Sequence, residues 1–325
     1  MLTLLDSSLF ADVADAIGLS NPTIVEKDYY VVQLLQLLQQ LDTSYHQIVF
    51  SSGTALAKSS VKTYRMSEDV DLKFVPNDEF DSILSRGEKK KIRKAVRLAI
   101  EALIEQSPIF QLEENALVRD EYRYMCFEIK YPQAYQIEPC LRPYIKLELI
   151  ESDLLSNAVA RDITSLYASA LQQPSELTAF SCTSVIDTQA EKIISMLRRT
   201  ASYARNIERD DDETLIRHIY DTHHIQLTNP SDINELAALI DKVMQADIER
   251  YGNQHTQLVE SPIDELRFAL ALLEDESIHQ TRYEQYVKPM VYAENRTTWE
   301  EAFLSFKTLI EKVFDRLNYI SANLI

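Results

Sequence analysis

Glycine is scarce in this sequence. Four occur in 325 residues, Gly18, Gly53, Gly87 and Gly252, where an average chain of this length would carry about twenty. No G-x-G-x-x-G dinucleotide turn and no G-x-x-x-x-G-K-S/T phosphate loop can be written with them. Collagen-like and glycine-rich disordered readings go as well. Basic charge is also short. Lys plus Arg number 33 against 51 Asp plus Glu, a formal net charge of −18, which argues against a surface that grips nucleic acid everywhere by counterion release. Cysteine is limited to Cys126, Cys140 and Cys182, far apart and without a C-x-x-C. An odd, scattered count suits a reducing cytosol and argues against a disulfide framework or a cysteine zinc site. The N-terminal stretch carries Asp6, Asp12 and Asp15 and no basic n-region, so it does not read as a signal peptide. No run approaches the roughly 18 apolar residues of a membrane span. These absences predict a soluble cytoplasmic protein with no membrane partner.

What is present is enough to build a core. Hydrophobic residues make up 46% and charged residues 26%, an ordinary globular balance, and the length corresponds to about two domains. Asn21-Pro22 before TIVEKDYYVVQLLQLLQQL reads as a capped helix with Asn at the N-cap and Pro at N1. HQIVFSS reads as a strand ending near Gly53, TALAKSS as a short helix, and residues 70–74 (VDLKF) as a half-buried strand by their alternation. A helix is predicted over 88–106, followed by strands at YRYMCFEIKY and PYIKLELIES. After about residue 185 the strand signals stop, and five long segments of helical spacing follow. This order predicts an α+β chain, with a mixed α/β domain over 1–160 and an all-helical domain over 161–325.

Residues 51–74, SSGTALAKSSVKTYRMSEDVDLKF, hold the densest chemistry. Gly53-Thr54 lies between a strand and a helix, where free backbone N–H groups and a hydroxyl suit phosphate. Fourteen residues separate Thr54 from Asp69. Asp69 and Asp71, at i and i+2 on a strand, share one face. Paired carboxylates so close repel, and a hard divalent ion such as Mg²⁺ or Mn²⁺ resolves the conflict while bridging to phosphate oxygens. Arg65 and Ser67 could add charge and a donor. Glu148 lies on the polar face of a later strand with Lys146, either as a third carboxylate or as half of an exposed ion pair. The competing reading of the Asp-x-Asp pair is a solvated strand edge.

These residues resemble the AbiEii/AbiGii toxin family of nucleotidyltransferases, part of the DNA polymerase β-like superfamily. G-T-A-L and Y-R-M-S-E-D-V-D-L are similar to that family's GGTAL and RFSEDIDL. Glu26-Lys27-Asp28-Tyr29 looks like its E-K-D-aromatic motif. Ala190-Glu191-Lys192 and Arg217-His218-Ile219-Tyr220-Asp221 look like its AEK and R-H/D-x-Y-D helical motifs. The resemblance runs from about residue 24 to 225. It implies a nucleotidyltransferase-type sheet with flanking helices, completed by the helical domain. Gly53 and Thr54 would then contact the triphosphate. Asp69, Asp71 and Glu148 would ligate the metal, Lys192 would neutralise phosphate charge, and Asp221 would complete the site. Ser52 departs from the family's first glycine, His218 stands where Asp is common, and NIERDDDE lengthens the spacing from Lys192 to Asp221. The other readings are a snorkelling lysine for Lys192 and an i−4 pair with Arg217 for Asp221. His223 and His224, being adjacent, do not form a metal pair. Trp299 and the tyrosines read as core, with Tyr64 a candidate base-stacker.

Family members act as toxins of toxin–antitoxin or phage-defence pairs, and some add nucleotides to the acceptor end of tRNA. The resemblance therefore implies an NTP substrate, an RNA or tRNA acceptor and a cognate antitoxin. Residues 86–97 (RGEKKKIRKAVR), with seven basic residues against one acid, are the candidate RNA contact; the competing reading is a solvated helix face. Basic residues in a first helical turn oppose the helix dipole. Two alternatives stand beside the enzyme. One is a catalytically weak binding module acting through a protein partner, which the departure at Ser52 keeps open and the retained Asp-x-Asp speaks against. The other, a glycosyltransferase using Asp-x-Asp, is disfavoured by the all-helical second half.

Overall fold

The computed structural model describes residues 4–19, 21–114, 116–137, 141–207, 211–293 and 295–323. Cys140 and part of the NIERDDDE stretch (208–210) fall outside them. Contacts divide the chain into two units. One contains the chain as far as Ser59 together with Met66–Thr183, and the other contains Ser60–Arg65 and everything from Ser184 onward.

The first unit contains α1 (Ser8–Ala16), α2 (Thr23–Leu38), β1 (His46–Ser51), α3 (Ser52–Ala57), β2 (Val70–Pro76), α4 (Asp78–Ile83), α5 (Arg86–Glu105), β3 (Gln111–Leu112), β4 (Leu117–Arg119), β5 (Tyr124–Lys130), β6 (Ile145–Glu151), β7 (Val159–Ile163), α6 (Leu166–Ala170) and β8 (Leu177–Cys182). Among the described residues these strands form one mixed eight-stranded sheet in the order β3-β5-β6-β2-β1-β8-β7, with β4 also on β5. β2 runs antiparallel to β1 and parallel to β6. Alternation sets the two faces. Val70, Leu72 and Phe74 of β2 and Ile145, Leu147 and Leu149 of β6 enter the core. Asp71, Lys73, Lys146 and Glu148 therefore lie on the other face. The sheet continues past residue 160, because β8 pairs in parallel with β1 and carries β7 on its outer side. The unit accordingly ends at Thr183.

α2 begins one residue later than its capping signal indicated, at Thr23 with Pro22 in the cap position, while the Asn21 carboxamide still accepts from the Thr23 N–H at 2.9 Å. Nearly all of it is buried. Phe10, Tyr29, Tyr30, Tyr131, Tyr167 and Phe110 gather around it in mostly edge-on contacts, the geometry that ring quadrupoles favour.

The second unit holds α7 (Val185–Ala204), a 3₁₀ turn at Glu213–Ile216 leading into α8 (Arg217–Thr228), α9 (Ile233–Tyr251), α10 (Thr256–Glu260), α11 (Pro262–Asp275), α12 (Ile278–Tyr286) and α13 (Trp299–Asn323). α7 packs on α8, α9 and α11, and α13 packs on α8 and α9. Trp299 stacks on Phe303 in this core. Ser60–Arg65 joins through an antiparallel bridge from Arg65 to Val291 and a bond from the Tyr292 N–H to the Tyr64 carbonyl. The chain is thus α+β with a helical C-terminal region. Among the described residues no helix is long and apolar enough to cross a membrane, and Cys126 and Cys182 are buried free thiols.

Candidate active site

In the first unit the register of β1, β2 and β6 brings the candidate carboxylates together. Asp71 lies directly opposite Glu148 on the parallel neighbour and opposite Ser51 on the antiparallel one. Asp69 stands two residues earlier, on the same polar face. Burial raises the Asp71 carboxyl, and the charges of Asp69 and Glu148 add to it, pushing it up to about 7. Burial also raises Asp69, against the pull of Arg142. Glu148 is held below its usual range because Lys146 and Tyr124 outweigh its burial. Lys146 Nζ lies 2.9 Å from Glu148 Oε2, and the Tyr124 hydroxyl donates to Oε1 at 2.5 Å.

The turn before α3 is shaped around the departure at Ser52. Its φ of +63° is left-handed, a conformation natural to glycine and strained for serine by about 1 kcal/mol. The Ser52 side chain partly offsets the rise of the Asp71 carboxyl, so the replacement for glycine bears on the acidic strand. Gly53 and Thr54 are buried in the first turn of α3. Thr54 Oγ1 donates to the Asp69 carbonyl and lies 2.9 Å from Ser67 Oγ. Thr54, Ser67 and the main chain of Asp69 are thereby one hydrogen-bonded group.

Arg142, which carried no local signal in the sequence, supports this edge together with Glu68 and Lys27 of the quoted motifs. Arg142 Nη1 reaches Asp69 Oδ1 at 2.7 Å and Oδ2 at 2.9 Å, and Glu68 Oε1 at 3.2 Å. Behind it Lys27 Nζ donates to Glu68 Oε2 at 2.7 Å, with side-chain exposures of 0% and 2%. The E-K-D motif is therefore a scaffold of three anchors. Glu26 accepts from the Ala134 N–H, Lys27 holds Glu68, and Asp28 takes Lys58 and the Leu166 N–H.

In the second unit a different group assembles. Arg65 donates through Nε and Nη2 to the two carboxylate oxygens of Asp221 at 3.0 and 2.8 Å. Lys192 Nζ lies 2.9 Å from Asp221 Oδ2 and 3.4 Å from His218 Nδ1. Asp221 is fully buried, and Arg65 and Lys192 pull its carboxyl well below the usual range against that burial. Burial holds His218 well below its ordinary value, with Lys192 beside it. Among the described residues Asp221 is paired with Arg65 and Lys192, and Arg217 Nε donates to the Tyr286 carbonyl. His223 and His224 are buried with rings perpendicular. Tyr64 meets Tyr292 edge-on.

The basic cluster lies on α5, whose start is a capping box between Ser85 and Glu88. That box offsets the unfavourable placement of cations in the first turn. Arg86 pairs with Glu121, Lys89 with Asp81, Arg93 with Glu151 and Arg97 with Glu101. Lys90, Lys91 and Lys94 are exposed and have no ion pair among the described residues.

Among the described residues no three His, Cys, Asp or Glu side chains converge on a metal position. The two-carboxylate donor set still fits a hard divalent ion, because Asp71 is raised by burial and by the charges of Asp69 and Glu148, and Asp69 by burial and by Glu68, a load that a cation would relieve.

The sequence matches the family model for the nucleotidyl transferase AbiEii toxin of type IV toxin–antitoxin systems over residues 36–305. Among solved structures the fold is similar to MenT4, a nucleotidyltransferase toxin of Mycobacterium tuberculosis H37Rv. Identity is 19%, with 97% of this chain and 90% of that one covered and a TM-score of 0.57. A chain from H. pylori described as a nucleotidyltransferase aligns at 13% identity and a TM-score of 0.40, over 88% of this chain and 96% of that one. No curated protein matches the sequence.

Proposed function

The chain belongs to the AbiEii family of nucleotidyl transferase toxins of type IV toxin–antitoxin systems, and we propose that it transfers a nucleoside monophosphate from an NTP to a hydroxyl of RNA, with tRNA the favoured acceptor. The observation that carries this reading is the register of Asp71 against Glu148 with Asp69 beside it. A half-buried carboxylate pushed up to about 7, first by its removal from water and then by its acidic neighbours, is a group prepared for a cation. Asp69 and Asp71 hold Mg²⁺ or Mn²⁺, and Glu148 faces them from the next strand. When bound, the ion supplies charge neutralisation at the phosphates.

The chain's own residues do the rest. Glu148, kept ionised by Lys146 and Tyr124, accepts the proton of the attacking hydroxyl. Gly53 and Thr54 form the turn against which the triphosphate lies, with Ser67 bonded to Thr54. Lys192 neutralises phosphate charge, and Asp221, shared with Arg65, fixes the ammonium in place. Lys90, Lys91 and Lys94 are the RNA contact on α5. The setting is the cytoplasm, where a cognate antitoxin counters growth arrest, in a toxin–antitoxin or phage-defence role. The weak-binding-module alternative drew on Ser52, and the turn accommodates that residue while its side chain partly offsets the rise of Asp71.

The test is incubation with each labelled NTP, Mg²⁺ and total RNA, beside Asp69→Asn and Lys192→Ala. Label moving to RNA, and reduced by at least about a hundredfold in both variants, is the expected result. Nucleotide binding without transfer to any acceptor would favour the binding module.

A further inference from the structure

Arg142 is mounted more firmly than an ordinary surface arginine. Its N–H donates to Glu68 Oε2 at 2.8 Å, and its carbonyl accepts from Lys27 Nζ at 2.8 Å. Both main-chain groups are thus clamped by a buried ion pair whose members are themselves 2.7 Å apart. From that mount the guanidinium, 30% exposed, spends a single nitrogen, Nη1, on Asp69 and Glu68. Nε and Nη2 make no hydrogen bond among the described residues. Arginine presents its donors as a planar fork matched to carboxylate and phosphate. Here one nitrogen of the fork covers an acid, and the other two have no partner among the described residues.

We propose that Arg142 is a phosphate-binding residue that makes metal and nucleotide binding mutually dependent. The proposal rests on the reading of Asp69 and Asp71 as metal ligands. A guanidinium on both oxygens of Asp69 is a resident counter-ion, and a divalent cation arriving alone must share that carboxylate with it. Like charges at one carboxylate repel. An NTP brings negative charge for both cations, so the unused Nε and Nη2 take phosphate oxygens while Asp69 takes the metal. By linkage each ligand then tightens the other by the same factor. Lys27 and Glu68 act through Arg142 as positioning residues.

The experiment measures binding, not turnover. Mn²⁺ uptake is followed by loss of the free-ion paramagnetic resonance signal. Nucleotide is supplied as analogues with a methylene between the α and β phosphorus atoms, which cannot transfer. Wild type is expected to bind Mn²⁺ about tenfold more tightly with the analogue than without it. Arg142→Gln should bind Mn²⁺ alone more tightly than wild type and the analogue more weakly, so the two affinities move in opposite directions. A merely structural role would weaken both. Arg142→Lys keeps the charge on the same main-chain mount; it should retain wild-type Mn²⁺ affinity in the absence of analogue yet still lose analogue affinity, which also serves if the glutamine variant fails to fold. Unchanged or weaker Mn²⁺ binding in Arg142→Gln, or unchanged analogue affinity in both variants, overturns the proposal. Asp69→Asn separates the two ideas. If wild type binds Mn²⁺ no better than Asp69→Asn under any condition, the metal reading falls and Arg142 falls with it. If Asp69→Asn loses Mn²⁺ while Arg142→Gln matches wild type, only the role of Arg142 is lost.

Discussion

Glu151, at the end of β6, shows what partners do to a carboxylate taken out of water. Burial alone would raise it, but His46, Arg93 and Arg123 face it, and the first two bring it from 4.5 to about 2. A depressed folded-state pKa contributes stability that is complete above about 4.5 and disappears as pH falls toward about 2. The shift corresponds to about 3 kcal/mol. Glu151→Gln should therefore be less stable than wild type by up to that amount at pH 7. The gap should narrow steadily below pH 4.5, as read from urea midpoints of both proteins between pH 7 and pH 3. A gap that stays constant with pH would refute the ionic account. Residues of this kind were hidden in the sequence. Asp69 and Asp71 are legible because i, i+2 spacing on a strand is local, and Gly53 because so few glycines compete with it. Lys27, Glu68, Arg93, Arg142 and Glu151 meet across tens of residues. A long-range ion pair leaves no period in the chain, so the E-K-D motif was recognisable without its physical meaning.

At the scale of elements, the segments with clear periodicity were readable, down to the short α3, and the weakly patterned ones were not. The cores of β1, β2, β5 and β6 and all the long C-terminal helices follow their hydrophobic spacing. β7, β8 and α12 have weak alternation or a weak apolar stripe, and only the neighbours they pair or pack with define them. α5 illustrates how an element divides its own charges. Arg93 is buried against Glu151 and lies over the Phe80 ring, so it serves the fold. Lys90, Lys91 and Lys94 face solvent and are available for phosphate. Replacing these three with Ala should leave the denaturation midpoint within about 0.5 kcal/mol of wild type. It should lower the slope of log affinity for RNA against log salt by about 0.7 per lost phosphate contact. Filter binding across a salt series measures this, and an unchanged slope would remove α5 from the RNA surface.

At the scale of the whole molecule, chain order and contact membership differ. Ser60–Arg65 lies in sequence between the Gly53-Thr54 turn and Asp69, yet it belongs with the helices that begin at Ser184. Arg65 accounts for this through its two bonds to Asp221, supported by the Tyr220 hydroxyl on the Thr63 carbonyl and by the bridge to Val291. Arg65 and Lys192 share one buried carboxylate, so Asp221→Asn leaves two buried cations with only an amide between them. Breaking a buried pair from one side is destabilising by about 3–5 kcal/mol, and here the loss falls on the second unit. Hydrogen exchange should show it as faster exchange in α8, at the Tyr292 amide and in the peptide covering 60–65, all rising together. Amides of β2 and β6 should keep their wild-type rates. If the 60–65 peptide instead exchanged in step with β2, its membership of the helical unit would be wrong. Lys192 and Arg65 are held by the same carboxylate, so Asp221→Asn should release both from one fixed geometry even in protein that remains folded.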